Sequence, residues 1–227
     1  MRRDVVTSVI GMIVLTVLLG LVYPLVITGV SQVAFPGNAN GQKVYVKGKL
    51  VGSKIIGQSF KSPVIGKNGK PEEKEGEPVT EPDSNYFQSR PSATEGGAYN
   101  AAASTFSNRG PNDKATEEAD AENIKAYLEL EKPYDPTLTV AQIPVDAVNT
   151  SASNLDPEIS PANARIQAHR IAAKRGISLS AVDRLISDYT DARGLGFSGE
   201  PGVNVLELNL ALDRGHTGRS PGSGGKS

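Results

Sequence analysis

The chain is apolar without a charge from Val5 to Val30, and Val, Ile and Leu dominate that run. As a helix rising 1.5 Å per residue, about 26 residues cover roughly 39 Å, more than the ~30 Å hydrocarbon core of a bilayer. That is enough to span with some tilt. A cleaved signal needs only about 7–15 apolar residues followed by small residues at the cut. The one such spacing, Gly29-Val30-Ser31, ends a run far longer than that. Residues 5–30 therefore predict a permanent transmembrane anchor behind a short cytoplasmic N-terminus, 1–4. Arg2 and Arg3 precede the run and no charge follows it until Lys43. This positive-inside bias sends the remainder across the membrane. Pro24 removes one backbone hydrogen bond in the outer half, a break tolerated where a neighbouring helix or water covers the carbonyl. Thr7/Gly11 and Thr16/Gly20 are small pairs on nearly opposite faces. They read either as a helix gripped by protein on two sides or as ordinary membrane-helix composition.

Past the anchor the period changes. "KVYVKGKLVGSKII" predicts two strands around a turn at Gly48. Residues 61–85 are acidic and rich in Pro and Gly, which predicts a mobile loop, and "NYFQSRPSATEGGAYN" is polar and turn-like. A helix is expected over about 112–131, with Ile124, Tyr127 and Leu128 as its apolar stripe. "IPVDAV" reads as a short extended segment. Ser160 as cap and Pro161 at the first helical position start a helix that stops at Gly176. Ser180 and Asp183 then stand at capping-box spacing, with Val182, Leu185, Ile186 and Tyr189 on one face and Gly194 as the stop. The alternating leucines of "VNVLELNLALD" suit a half-buried strand, whereas Asn204 and Glu207 at cap spacing favour a short helix. The fold class is α+β: one N-terminal transmembrane helix, one small extracytoplasmic domain over 31–213, and a disordered Gly/Ser tail, 214–227.

Composition narrows the chemistry. A net charge of −1 and no Trp argue against a nucleic-acid partner. There is no Cys, which excludes disulfides, thiolate metal sites and thiol nucleophiles. The terminal "GSGGKS" lacks the Gly five places before its Gly-Lys-Ser, where Ser220 stands, and no chain follows to form the helix. Of the two histidines, His216 lies in the tail and His169 stands beside Arg170 in a helix. Neither marks a catalytic or metal site, so the expectation is no catalytic residue and no metal. Binding energy is expected from the anchor and from polar loops such as Tyr86 to Tyr99. The rival reading is a membrane-tethered periplasmic enzyme or ligand-binding module acting alone.

Six blocks stand in order: "VYPLVITGVSQVAFPGNANG", "LVGSKIIGQSF", "YFQSRPSA" with a later "YN", "SNRGPND", "IPVDAVNTSASNLDPEISPANARIQAHRIA" and "GEPGVNVLELNLALD". Across about residues 20–213 the chain resembles the C-subunit family (KdpC) of the Kdp high-affinity potassium-transporting ATPases. The 61–85 insertion and the tail depart from the usual, shorter pattern. The resemblance implies a bacterial inner-membrane complex in which one large subunit conducts K⁺ and a P-type ATPase subunit hydrolyses ATP. The C subunit would be a single-span protein needed for assembly and activity, and a catalytic chaperone raising the ATP affinity of its partner. The resemblance also implies a nucleotide contact, with ATP as ligand, at the glutamine of "ISPANARIQAHR", here Gln167. By residue type alone, Gln167 is a polar surface residue or a capping partner. The expected orientation puts residues 151–176 outside, where ATP is scarce, and the two readings stay open at this level.

Overall fold

The apolar run forms one long helix in three parts: α1 (Arg2–Val17), a π-turn over Leu18–Val22, and α2 (Tyr23–Ala34). In regular α-register the ring of Pro24 would meet the Gly20 carbonyl. The wider turn, closed by the Tyr23 N–H on the Leu18 carbonyl, lies just where that clash would fall. No residue of the helix is buried, and among the described residues it is the one helix long and apolar enough to cross a membrane.

The computed structural model describes residues 1–95, 97–104, 109–110 and 112–215, in two units, Met1–Ser53 and Lys54–Ser227. The tail residues 216–227, with His216 and "GSGGKS", lie outside the described residues, as does part of "SNRGPND". In the first unit a short helix α3 (Pro36–Ala39) leads into the hairpin β1 (Lys43–Val46)–β2 (Lys49–Ser53). Its turn places Lys47 at φ +50° and Gly48 at φ +79°, the double positive φ of the turn that matches strand twist.

In the second unit, residues 61–82 are not the loop the acidic composition suggested. They form nested hairpins, β3 (Lys61–Pro63) pairing with β6 (Thr80–Pro82) outside β4 (Glu73–Lys74) with β5 (Glu77–Pro78). Glu75 and Gly76, at φ +57° and +84°, close the inner turn. Helix α4 (Lys114–Glu131) starts on Asp113, whose carboxylate accepts from Ala115 N–H. "IPVDAV" is not extended throughout: Pro144 leads into a 3₁₀ turn, Val145–Ala147. Strand β7 (Glu158–Ile159) precedes α5 (Pro161–Arg175), capped by Ser160 and ended by Gly176 at φ +65°. Helix α6 (Leu179–Asp188) is capped by Ser178, not Ser180. It ends before the expected Gly194 because β8 (Thr190–Asp191) already pairs with β9 (Gly202–Asn204). The sheet order is β7-β9-β8, antiparallel. Asn204 then caps α7 (Val205–Asp213), so the leucine-rich segment is a helix.

Two apolar clusters fill this unit. The larger joins Phe87, Ile159, Ala164, Ala168 and Ile171 to Val182, Ile186, Val203 and Leu208. The smaller gathers Tyr127, Leu138, Ala147 and Val148. Helix α5 faces both: Ala168 and Ile171 belong to the first, and Ile166 packs on the second. Whatever polar side chains share that inner face must find partners there.

Candidate functional site

Three polar residues of α5 are buried: Asn163, Gln167 and Arg170. Their spacing of four and three residues puts them on one helical face. Gln167 is 1% exposed. Its Oε1 accepts from Gln88 N–H at 2.7 Å and from Arg170 Nη2 at 3.0 Å. Its Nε2 donates to the Gln88 carbonyl at 3.0 Å and to Asn163 Oδ1 at 2.9 Å. Two donors and two acceptor positions are the whole capacity of a carboxamide, and all four are used. On α7, Asn209 does the same for the neighbouring residue, accepting from Phe87 N–H at 2.8 Å and donating to its carbonyl at 2.9 Å. Two side-chain amides thus bond the backbone N–H and C=O of two successive residues that lie outside any helix or strand.

Arg170 holds the start of that stretch, donating to the carbonyls of Ser84 (2.8 Å) and Tyr86 (2.9 Å). Its Nε meets both carboxylate oxygens of Glu131 on α4, at 3.0 and 3.1 Å, with the side chains 0% and 1% exposed. Burial pushes the Glu131 carboxyl above its usual range, and Arg170 opposes that shift. A buried pair of this kind adds little net stability, but removing one member strands the other charge. The network ends on Tyr127, whose hydroxyl donates to Asn163 Oδ1 at 2.9 Å. Burial raises the Tyr127 phenol far above its ordinary range, so it remains a donor. Asp146 completes it by accepting from Asn163 Nδ2 (3.0 Å) and Ser160 N–H (2.8 Å).

A cleft of about 380 Å³ opens beside this network, lined among others by Lys61, Arg90, Tyr99, Asn123, Leu130 and Gln167. Arg90 is engaged by Asp156 and by the Thr150 carbonyl, both at 3.2 Å. Its Nε is the one buried side-chain nitrogen or oxygen without a partner among the described residues. Burial pushes the Tyr99 phenol up to about 12, and its hydroxyl donates to the Arg90 carbonyl at 2.5 Å. A nucleotide could reach the Gln167 amide only by displacing a bond the fold already uses, so this residue does not fit as a ready nucleotide contact. Within the loop from Tyr86 to Tyr99, expected to contribute binding energy, Gln88, Ser89 and Ser92 spend hydrogen bonds inside the domain.

Thr7, Gly11, Thr16, Gly20 and Pro24 are all unburied on the long helix. The Thr7 hydroxyl donates to the Arg3 carbonyl at 2.9 Å. Beyond the helix's own neighbouring backbone, no atom lies within 4 Å of a Cβ built on Gly11 or Gly20. Gly20 sits inside the π-turn, so the Thr16/Gly20 pair spans a change of pitch. His169 is half-buried on α5, and no group of three or more His, Asp or Glu among the described residues is arranged to hold a metal. Glu131, Arg170, Asn163 and Asn209 escaped the reading of the sequence. A signal existed on α5, where Asn163, Gln167 and Arg170 share the face of Ala164, Ala168 and Ile171, all of them buried.

The family model for KdpC, the c chain of the K⁺-transporting ATPase, matches residues 5–214. The Potassium-transporting ATPase KdpC subunit of Mycobacterium tuberculosis is 44% identical over 214 residues, covering 94% of this chain and 100% of that protein. Proteins of the same name from Koribacter versatilis and Streptomyces coelicolor are each 42% identical. The first covers 94% of this chain and 95% of its own length, the second 89% and 88%.

Proposed function

This chain belongs to the KdpC family, the c chain of the K⁺-transporting ATPase, and from that premise we propose that it is the accessory, non-catalytic C subunit of an ATP-driven potassium uptake complex. The match from residue 5 to residue 214 carries this reading, because it takes in the apolar helix as well as the folded unit. The partners are a potassium-conducting subunit and an ATP-hydrolysing P-type subunit in the bacterial inner membrane. The helix Arg2–Ala34 anchors the chain with its N-terminus in the cytoplasm, and the unit from Lys54 onward faces the outside. Arg2 and Arg3 ahead of an uncharged span support that orientation.

The chemistry of the folded unit suits a rigid partner surface. The buried polar groups around Gln167 are spent on one another and on nearby backbone: Gln167 and Asn209 pin the backbone of Phe87 and Gln88, and Arg170 with Glu131 ties that stretch to α4. A subunit built this way acts by the shape it presents to its partners. Any effect on the ATP affinity of the hydrolysing subunit is then transmitted through subunit contacts, with Gln167 in an architectural role. Purifying the tagged chain from its native membrane tests the reading. Two larger proteins should accompany it in fixed stoichiometry, with ATPase activity stimulated by K⁺. A chain that purifies alone, or that acts by itself on a small molecule, refutes it.

A further inference from the structure

We propose that the hairpin 193–200 is a docking finger whose tip, Leu195 and Phe197, seats in an apolar pocket on the extramembrane surface of a larger subunit of the same ATPase; this rests on the reading of the chain as a complex subunit. Leu195 is 90% exposed and Phe197 77%. From Lys54 onward, no other described large apolar side chain is as open. The finger is a built structure. Its root is the β8–β9 ladder, Thr190 opposite Val203 and Asp191 opposite Gly202. Beyond it Gly194 and Ser198 exchange both backbone hydrogen bonds at 2.8 Å, and Arg193 pairs with Glu200 at 2.6 Å.

The backbone at the tip adds a second argument. Leu195 has φ +54° and Gly196 φ +81°. Left-handed positions favour Gly, Asn or Asp, and a bulky apolar residue there is uncommon. A turn needed only to reverse the chain would take one of the favoured types. Leu at this position, with Phe two residues on, puts apolar surface in water on a stiff support, which suits a residue that is covered in use.

Charge and shape decide what covers it. Residues 188–200 carry Asp188, Asp191 and Glu200 against Arg193, three negative charges to one positive. Anionic lipid surfaces attract Lys/Arg clusters, so this finger is poorly suited to a membrane. A convex tip of two side chains fits a concave apolar pocket. It also buries far less than the roughly 1,200 Å² of a self-sufficient interface. Such a contact works when the partner is already held close, as are subunits anchored in one bilayer.

The absence of Cys makes a direct test available. Ser198→Cys places a unique thiol beside the tip, at an exposed position, and keeps both apolar residues. Its reaction with a water-soluble maleimide is timed in the full chain alone and in the purified complex, in the same detergent. The expected result is labelling severalfold slower in the complex, and a benzophenone maleimide on that thiol crosslinks to a larger subunit. Adding Leu195→Ser and Phe197→Ser should restore fast labelling, with unchanged ellipticity showing that the chain is folded. Equal rates in both states overturn the proposal. So does protection that survives loss of both apolar residues, crosslinking only to a second copy, or protection of the lone chain by anionic vesicles. If the unmodified chain fails to co-purify with larger subunits, it is the subunit reading that falls. If it co-purifies and the thiol stays fully reactive, the finger alone falls.

Discussion

Replacing Gln167 with Ala separates an architectural residue from a ligand contact. The substitution deletes four hydrogen bonds of 2.7, 3.0, 2.9 and 3.0 Å around a side chain 1% exposed. At about 0.5–1.5 kcal/mol net for each bond, the loss is about 2–6 kcal/mol. Gln88 is only part-buried and the adjoining cleft admits water, so some of those groups are satisfied again and about 3 kcal/mol is expected. That is a large part of the 5–15 kcal/mol that holds a typical domain together. For a chain of this size about 2–4 °C accompanies each kcal/mol, hence a fall of roughly 6–12 °C in Tm. The assay follows ellipticity of the full chain in detergent during heating. It is paired with ATP titrations of wild-type and variant complexes at matched amounts of complex. The apparent KM for ATP should coincide once complex is normalised. An unchanged Tm together with a severalfold rise in that KM would refute the architectural reading and favour a nucleotide contact.

Three further outcomes are expected. Glu131→Ala leaves the fully buried Arg170 guanidinium without its carboxylate and should cost about 3–5 kcal/mol, read as a lower urea midpoint of the full chain; a wild-type midpoint would mean Arg170 is solvated after all. A Cβ added at Gly11 or Gly20 meets nothing beyond the helix's own backbone, so with Gly11→Leu or Gly20→Leu insertion should persist while co-purification with the potassium-conducting subunit and K⁺-stimulated ATPase activity decline. Undiminished assembly with both substitutions would reduce the helix to a plain anchor. A reporter active only in the cytoplasm, fused after Asp213, should be silent, and strong activity would reverse the proposed orientation.

Local pattern was enough wherever neighbours in sequence supply the physics. The long apolar run, the Lys47-Gly48 turn, α4, the Ser160 and Gly176 ends of α5 and the helical form of α7 all follow from residues within a few positions of one another. Where the local pattern pointed elsewhere, tertiary pairing decided. Strand β8 ends α6 early, and nested pairing turns the acidic 61–82 stretch into hairpins. Family resemblance, too, was legible in runs of sequence, and it extends over most of the chain. The polar network was not. Gln88 and Gln167 are 79 residues apart, Phe87 and Asn209 122, Glu131 and Arg170 39. Gln, Asn, Arg and Glu are ordinarily surface residues, and their types alone do not announce burial. They become interior groups only when α4, α5 and α7 close around residues 84–88, and once there each must satisfy its donors and acceptors against another buried group. That requirement, set by packing, makes Gln167 part of the scaffold.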